Sequence, residues 1–259
     1  LLGAGWATLI TRILLFLSLM VVVLKGKHFS GYIAVRKTEW KLSWKTQKEL
    51  LGIGVPSSLQ IGMEAGAFAV TGILIGTIGA VEQAAHQIAL SCAAFTFMVS
   101  LGLSQAGSIR TSNSFGRSDW PRIANIGKST VLSAVGYGIF CAFLFILFRN
   151  QLPLLFTKNS EVQAMAALLL LLAGIFQISD STQAIGAGLL RGIKDVKTPT
   201  ILIGIAYWVI GIPAGYVFAN VMKLGAMGMW LGLILGLTFA SIFLQTRFFR
   251  MVKRNLLKP

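Results

Sequence analysis

The sequence predicts an all-α polytopic membrane protein with about seven transmembrane helices, and three observations carry that prediction. The chain is 55% hydrophobic and only 12% charged, with a mean hydropathy of +0.76, well to the apolar side of a water-soluble domain. Apolar runs long enough to cross a hydrocarbon layer of about 30 Å fall at about 1–24, 50–78, 83–108, 126–148, 162–190, 199–220 and 224–248. The basic residues gather between these runs. With the C-terminus placed inside, nineteen of the 23 Lys and Arg fall in inner stretches, and only Arg149, Lys158 and Lys223 in outer ones. That asymmetry orients the chain with a cytoplasmic C-terminus. The net charge of +15 is then a matter of topology, and no nucleic-acid partner is expected.

The first run contains Arg12 near its middle. An arginine there must snorkel, pair, or face a polar cavity. The chain opens on Leu1 without an initiator Met, and the expectation is a piece of a longer protein. The stretch 27–49 is basic and aromatic. Trp40 and Trp44 stand one turn apart, as in a helix lying in the inner interface, and His28 is expected at the surface.

The second run, LLGIGVPSSLQIGMEAGAFAVTGILIGTI, has one charge between Leu50 and Ile78, Glu64 at its midpoint. Charged side chains at a helix centre cost about 2.5–3.5 kcal/mol on insertion scales. A bridge between two helices is the plainer reading of such a group, and a functional intramembrane acid the sharper one. Gln60, Phe68 and Thr71 share its face at i−4, i+4 and i+7, a stripe that lipid cannot satisfy. Pro56, two turns earlier, is expected to bend the helix, and Gly62 and Gly66 give it a small-residue spacing.

Glu82 suits the outer N-terminus of the third run. His86 and Gln87 lie one turn deeper; for His86 a hydrogen-bonded structural role is the plain expectation and a proton-carrying role the alternative. In the inner loop RTSNSFGRSDWPR, Asp119 is placed as a helix N-cap with Pro121 just inside the helix. The loop is basic but lacks the glycine and lysine pattern of a phosphate cradle. The fourth run reads as packing. Cys92 and Cys141 read as buried thiols.

The fifth run supplies a second intramembrane acid, Asp180. Phe176 and Gln177 precede it by one turn, and Gln183 follows by one turn. Counting residues inward gives roughly 21 Å for Glu64 and 15 Å for Asp180 at about 1.5 Å per residue, so the two acids are able to share one layer of one cavity. Thr198 and Pro199 read as a cap and first turn for the sixth run, which Pro213 interrupts. Tyr207 and Trp208 read as interior packing. Gly228, Gly232 and Gly236 give the last run a close-packing face. The chain ends in a basic interfacial tail.

The blocks VPSSLQIGMEAGAFAV, AAHQIAL, SLGLSQAGSIRTSNSFGRSDWPR, FQISDSTQAIGAGLLRGIKDVKTP and YWVIGIPAGY, in this order, resemble the second half of a MATE (multidrug and toxic compound extrusion) transporter of the NorM-type branch. The resemblance implies two six-helix lobes around a central cleft. Residues 1–45 would be the last helix of the first lobe with a connector, and 46–259 the complete second lobe; the rest of the first lobe would be a missing partner on the same chain. It implies secondary active efflux from a bacterial inner membrane, exchanging small-molecule cationic or amphiphilic drugs for Na⁺ or H⁺. On the same basis Glu64 and Asp180 match the family's cation site, with Na⁺ held there if Na⁺ is the coupling ion. Phe68 and Gln87 match positions lining the drug cleft, beside which Gln60, Phe176, Gln177 and Gln183 are drug-contact candidates. Phe176 stands where NorM-type proteins often carry Tyr. No cofactor is expected beyond the coupling ion, and no enzymatic activity.

Three other functions fit less well. A flippase for lipid-linked oligosaccharides needs a basic cavity for pyrophosphate, whereas the mid-membrane charges beyond Arg12 are acidic. An intramembrane aspartyl protease needs paired Asp and a GxGD motif, and a zinc protease HExxH; neither motif occurs. A retinal-type receptor needs an intramembrane Lys, which is also lacking.

Overall fold

A computed structural model describes residues 2–26 and 43–257, and over these all the regular structure is helical. Its helices are α1 (Leu2–Lys25), α2 (Trp44–Gly76), α3 (Ala80–Gly116), α4 (Trp120–Leu147), α5 (Ser160–Gly192), α6 (Lys197–Val221) and α7 (Gly225–Leu256). All seven are long and apolar enough to span a membrane. The protein is an integral membrane protein of the predicted class. Each predicted run falls within or against one of these helices, most of which extend further at one or both ends. Trp40 and His28 lie outside the described residues.

Two compact units are present, Leu1–Leu50 and Leu51–Pro259. The first contains α1 and the opening turns of α2. Arg12 is exposed on α1, and Trp44 is exposed, with the Lys48 ammonium 5.8 Å from its ring centroid.

In the second unit α5 is central, packed against α3, α4 and α7. Small residues permit this. A Cβ at Gly188 would lie 2.7 Å from the Ser104 carbonyl oxygen, and one at Gly138 would lie 2.8 Å from Ile178 Cα. The close-packing face expected on α7 meets α6: a Cβ at Gly232 would fall 2.3 Å from Gly215 Cα. Lipid tails are as apolar as the helices, so backbone proximity and hydroxyl pairs must supply the cohesion. Four such links bind α5, namely Ser181 to Ser100, Ser179 to Thr238, Thr182 to Ser241, and the Ser104 hydroxyl to the Ala184 carbonyl, at 2.7–2.8 Å.

α2 is attached differently. Its Gly52, Gly54 and Gly62 face open space, and Gly66, Gly72 and Gly76 face the side chains of Trp208, His86 and Gln83. Gly62 and Gly66 thus meet no neighbouring backbone, contrary to what their spacing suggests. The helix is fastened by side chains: Thr200 donates to the Pro56 carbonyl at 2.9 Å, and the Trp208 indole donates to the Met63 carbonyl at 3.1 Å. The helix runs on through Pro56.

Asp119 caps α4 as expected, accepting from the Arg122 N–H at 3.0 Å, with Pro121 in the first turn. Thr198 does not cap α6. Lys194, at φ 62°, turns the chain, and the helix starts at Lys197 behind Val196. Within α6, Ile205–Gly211 and Val217–Val221 are wide π turns on either side of Pro213. Proline offers no N–H to the ladder, and the register shifts around it. Cys92 and Cys141 are free thiols.

Candidate functional site

The helical repeat places Gln60, Glu64 and Phe68 on successive turns of α2. On α5 the same repeat places Phe176, Asp180 and Gln183 along one stripe. All six line a single cavity of about 530 Å³, closed on the third side by α3 through Leu90, Ala93, Phe97, Leu101 and Ser104. The walls are mostly apolar and the polar groups few, as in a site for a small organic ligand.

The two acids therefore face one cavity. Asp180 is 4% exposed and Glu64 half-buried, within electrostatic reach of each other. Gln183 lies alongside Glu64, but neither its amide nitrogen nor its oxygen has hydrogen-bond geometry with a described residue. Buried amides are normally satisfied, and Gln183 presents its amide donor and acceptor beside the Glu64 carboxyl.

The polar run around Asp180 is divided among three neighbours. Ser179 and Thr182 turn to α7 and Ser181 to α3, which leaves Asp180 and Gln183 for the cavity. Gln177 does not line it. The residue is fully buried, its amide has no partner among the described residues, and its backbone lies against Gly138 of α4. Gln87 is also apart from the acids. It lines a neighbouring cavity of about 340 Å³ together with Gln83, His86 and Gly72. Phe68 and Leu90 line both cavities and form the partition between them.

Aromatic rings join the helices at this level. Phe68 meets Phe176 edge-on at 5.9 Å and Tyr207 at 6.0 Å. Phe176 meets Trp230 at 5.5 Å, and Trp230 meets His86 at 5.9 Å. Such edge-to-face pairs are each worth about 0.5–1.5 kcal/mol beyond burial. His86 is 1% exposed, and its Nδ1 has no partner among the described residues, so that nitrogen lacks the expected hydrogen bond.

Three participants were not foreseen. Tyr207, fully buried, directs its hydroxyl at Glu64 Oε1, 3.5 Å away. The first π turn of α6 carries it there; only the pairing of an aromatic with a nearby proline in an apolar run hinted at this. Arg191 lines the same cavity as the acids, although charge counting assigns it to the inner loop. Phe97 adds a third phenyl ring to the cavity wall.

The comparisons agree with this architecture. The MatE family model matches residues 56–217. A probable multidrug resistance protein NorM of Rhizobium meliloti is 39% identical over 220 residues, which is 83% of this chain and 47% of that protein. Another from Xanthomonas campestris is 35% identical over 257 residues, 98% of this chain and 55% of that protein. The chain spans about half the length of the curated relatives it matches. Among solved structures, an outward-facing multidrug resistance MATE family transporter of the MOP superfamily superposes with a TM-score of 0.88 at 19% identity, covering 99% of this chain and 57% of that one. The eukaryotic MATE transporter AtDTX14 gives 0.80 at 19% identity, covering 92% of this chain and 54% of that one.

Proposed function

Since the chain belongs to the MatE family of membrane transporters, we propose that it forms the second lobe of a multidrug exporter. Residues 46–259 make that lobe, and residues 1–45 the closing helix of the first lobe with its connector. The transporter exchanges Na⁺ or H⁺ for cationic or amphiphilic drugs across a bacterial inner membrane, with its C-terminus in the cytoplasm. The relatives are named as multidrug resistance proteins.

One observation carries this reading: Glu64 and Asp180 line the same apolar, aromatic cavity. Two carboxylates in a low-dielectric wall attract any cation strongly. A proton neutralises them directly. A sodium ion calls for oxygen donors, and the carboxylates, the amide oxygens of Gln60 and Gln183 and the Tyr207 hydroxyl offer them. Phe68, Phe97 and Phe176 give a lipophilic cation ring faces without strict shape demands. Drug and coupling ion thus compete for one charge. Occupation by either weakens the hold on the other, and the lobes present the cleft to each side in turn.

A flippase for lipid-linked sugars would need a basic wall to hold pyrophosphate. Among the described residues Arg191 is the one basic residue lining this cavity, against two acids, and the balance favours a cationic cargo.

The test uses the full-length protein in inside-out proteoliposomes, following uptake of a fluorescent cationic dye under Na⁺ and pH gradients imposed separately. A response to Na⁺ alone makes the acids a sodium site, and a response to pH alone makes them proton carriers. Dye movement that is unchanged in Glu64→Gln and Asp180→Asn would overturn the mechanism.

A further inference from the structure

A separate cavity of about 230 Å³ lies where α3 ends and α4 begins, lined by Arg110, Asn113, Ser114, Arg117, Arg122 and Ile126. The tight turn between the helices, with Ser118 in the left-handed region at φ 56°, brings arginines from both helices to one hollow. None of the described lining residues is acidic. Among the described residues the ion pair that forms is Arg247 with Asp195, so these three guanidinium groups have no carboxylate partner there. The acid of the turn, Asp119, caps α4 and does not line the hollow.

Three unpaired guanidinium groups around a hollow of this size match the geometry of a phosphate oxyanion, which they engage through forked N–H donors. Depth suggests the source. Glu82 stands in the first turn of α3, and Arg110 lies 28 residues further along, roughly 42 Å at about 1.5 Å per residue. A bilayer with its headgroups is about 40–45 Å thick. With Glu82 at one polar surface, Arg110 sits in the headgroup layer of the other. Ile109, one residue before it, is exposed, and Trp120, edge-on to Phe115 at 5.7 Å, stands beside the turn. Apolar surface and an indole next to basic groups are the pattern of a membrane interface.

We propose that this arginine hollow binds a phosphate group, at the depth of phospholipid headgroups on the basic side of the membrane. The test is native mass spectrometry of the detergent-purified full-length transporter with dioleoylphosphatidylglycerol, and with dioleoylglycerol, which lacks phosphate. The expected result is retention of the phospholipid alone, weakened at least about tenfold in Arg110→Gln/Arg117→Gln/Arg122→Gln and partly kept in the corresponding triple Lys variant. Displacement by millimolar inorganic phosphate would assign the hollow to free phosphate, and resistance to displacement would assign it to the headgroup. Equal phospholipid retention by wild type and triple Gln variant, with no effect of inorganic phosphate, overturns the proposal. On the unaltered protein, affinity must also fall as NaCl rises; salt-independent retention overturns it without reference to any variant.

Discussion

The Tyr207 hydroxyl donates to Glu64 Oε1 at 3.5 Å, across the gap between α6 and α2. It joins the intramembrane acid to the π turn that precedes Pro213. Tyr207→Phe keeps the ring against Phe68 and removes only this donor. With Na⁺ as the coupling ion, which loses an oxygen donor, the expected outcome is an affinity lower by about fivefold, equivalent to about 1 kcal/mol, with thermal stability nearly unchanged. The ion-concentration dependence of dye efflux measures it. An unaltered half-saturation would show that the hydroxyl does not serve the ion.

Glu64→Gln and Asp180→Asn each remove a desolvated carboxyl while preserving its shape. Coupled efflux is expected to fall to background in both. Since a buried charge opposes folding, the thermal unfolding midpoint should stay level or rise. A marked drop in the midpoint would mean that these acids hold helices together rather than carry cargo.

Arg191 shares the cavity with both acids. Arg191→Gln leaves the cavity more negative. Dye binding is expected to tighten and turnover to slow, because release becomes the harder step. Equilibrium dye titration beside transport rates separates the two effects, and weaker binding would contradict this reading.

Phe68 stands between the two cavities. Phe68→Ala should merge them, at a stability cost near the low end of phenylalanine truncations, roughly 3 kcal/mol. Bulky dyes are expected to gain as substrates relative to small ones. Competition between a large and a small cation in the same vesicles reads the change, and an unshifted preference would count against the partition.

Gly232→Ala puts a methyl 2.3 Å from Gly215 Cα. Separating α6 from α7 should cost about 1–3 kcal/mol and lower the yield of folded protein. The same change at Gly62, which faces open space, should be neutral; a thermal melt of each variant compares them.

Composition and charge were enough to read the spans, because hydrocarbon thickness dictates helix length and leaves little freedom. The Asp119 cap with Pro121, and the glycine face of α7, were also legible, since each is a local rule. The cavity was half legible. Periodicity puts Glu64 with Phe68, and Asp180 with Phe176 and Gln183, but it does not say which helix stands opposite. Gln177 is only one position from Phe176, yet α4 claims it. Gln87 falls on the far side of Phe68 for the same reason. Tyr207 escaped because a π turn moves side chains off the 3.6-residue wheel. Arg191 escaped because it stands in the last turn of α5, one residue past the predicted run, and still lines the cavity.

The contrast between α2 and the rest of its unit bears on how the proposed exporter would acquire new cargo. Where backbones touch, as along Gly188, Gly138 and Gly232, nearly every replacement is excluded by the neighbouring chain. Along α2 the glycines meet side chains or open space, so a changed side chain on its cavity-facing side alters the wall of the cavity and leaves the frame intact. Heritable shifts in drug spectrum should therefore arise mainly on α2, around Gln60, Ile61, Ala65 and Phe68. Selection of a mutant library on an unfamiliar toxic cation would show winners concentrated there, and winners spread evenly over α5 and α7 would refute it.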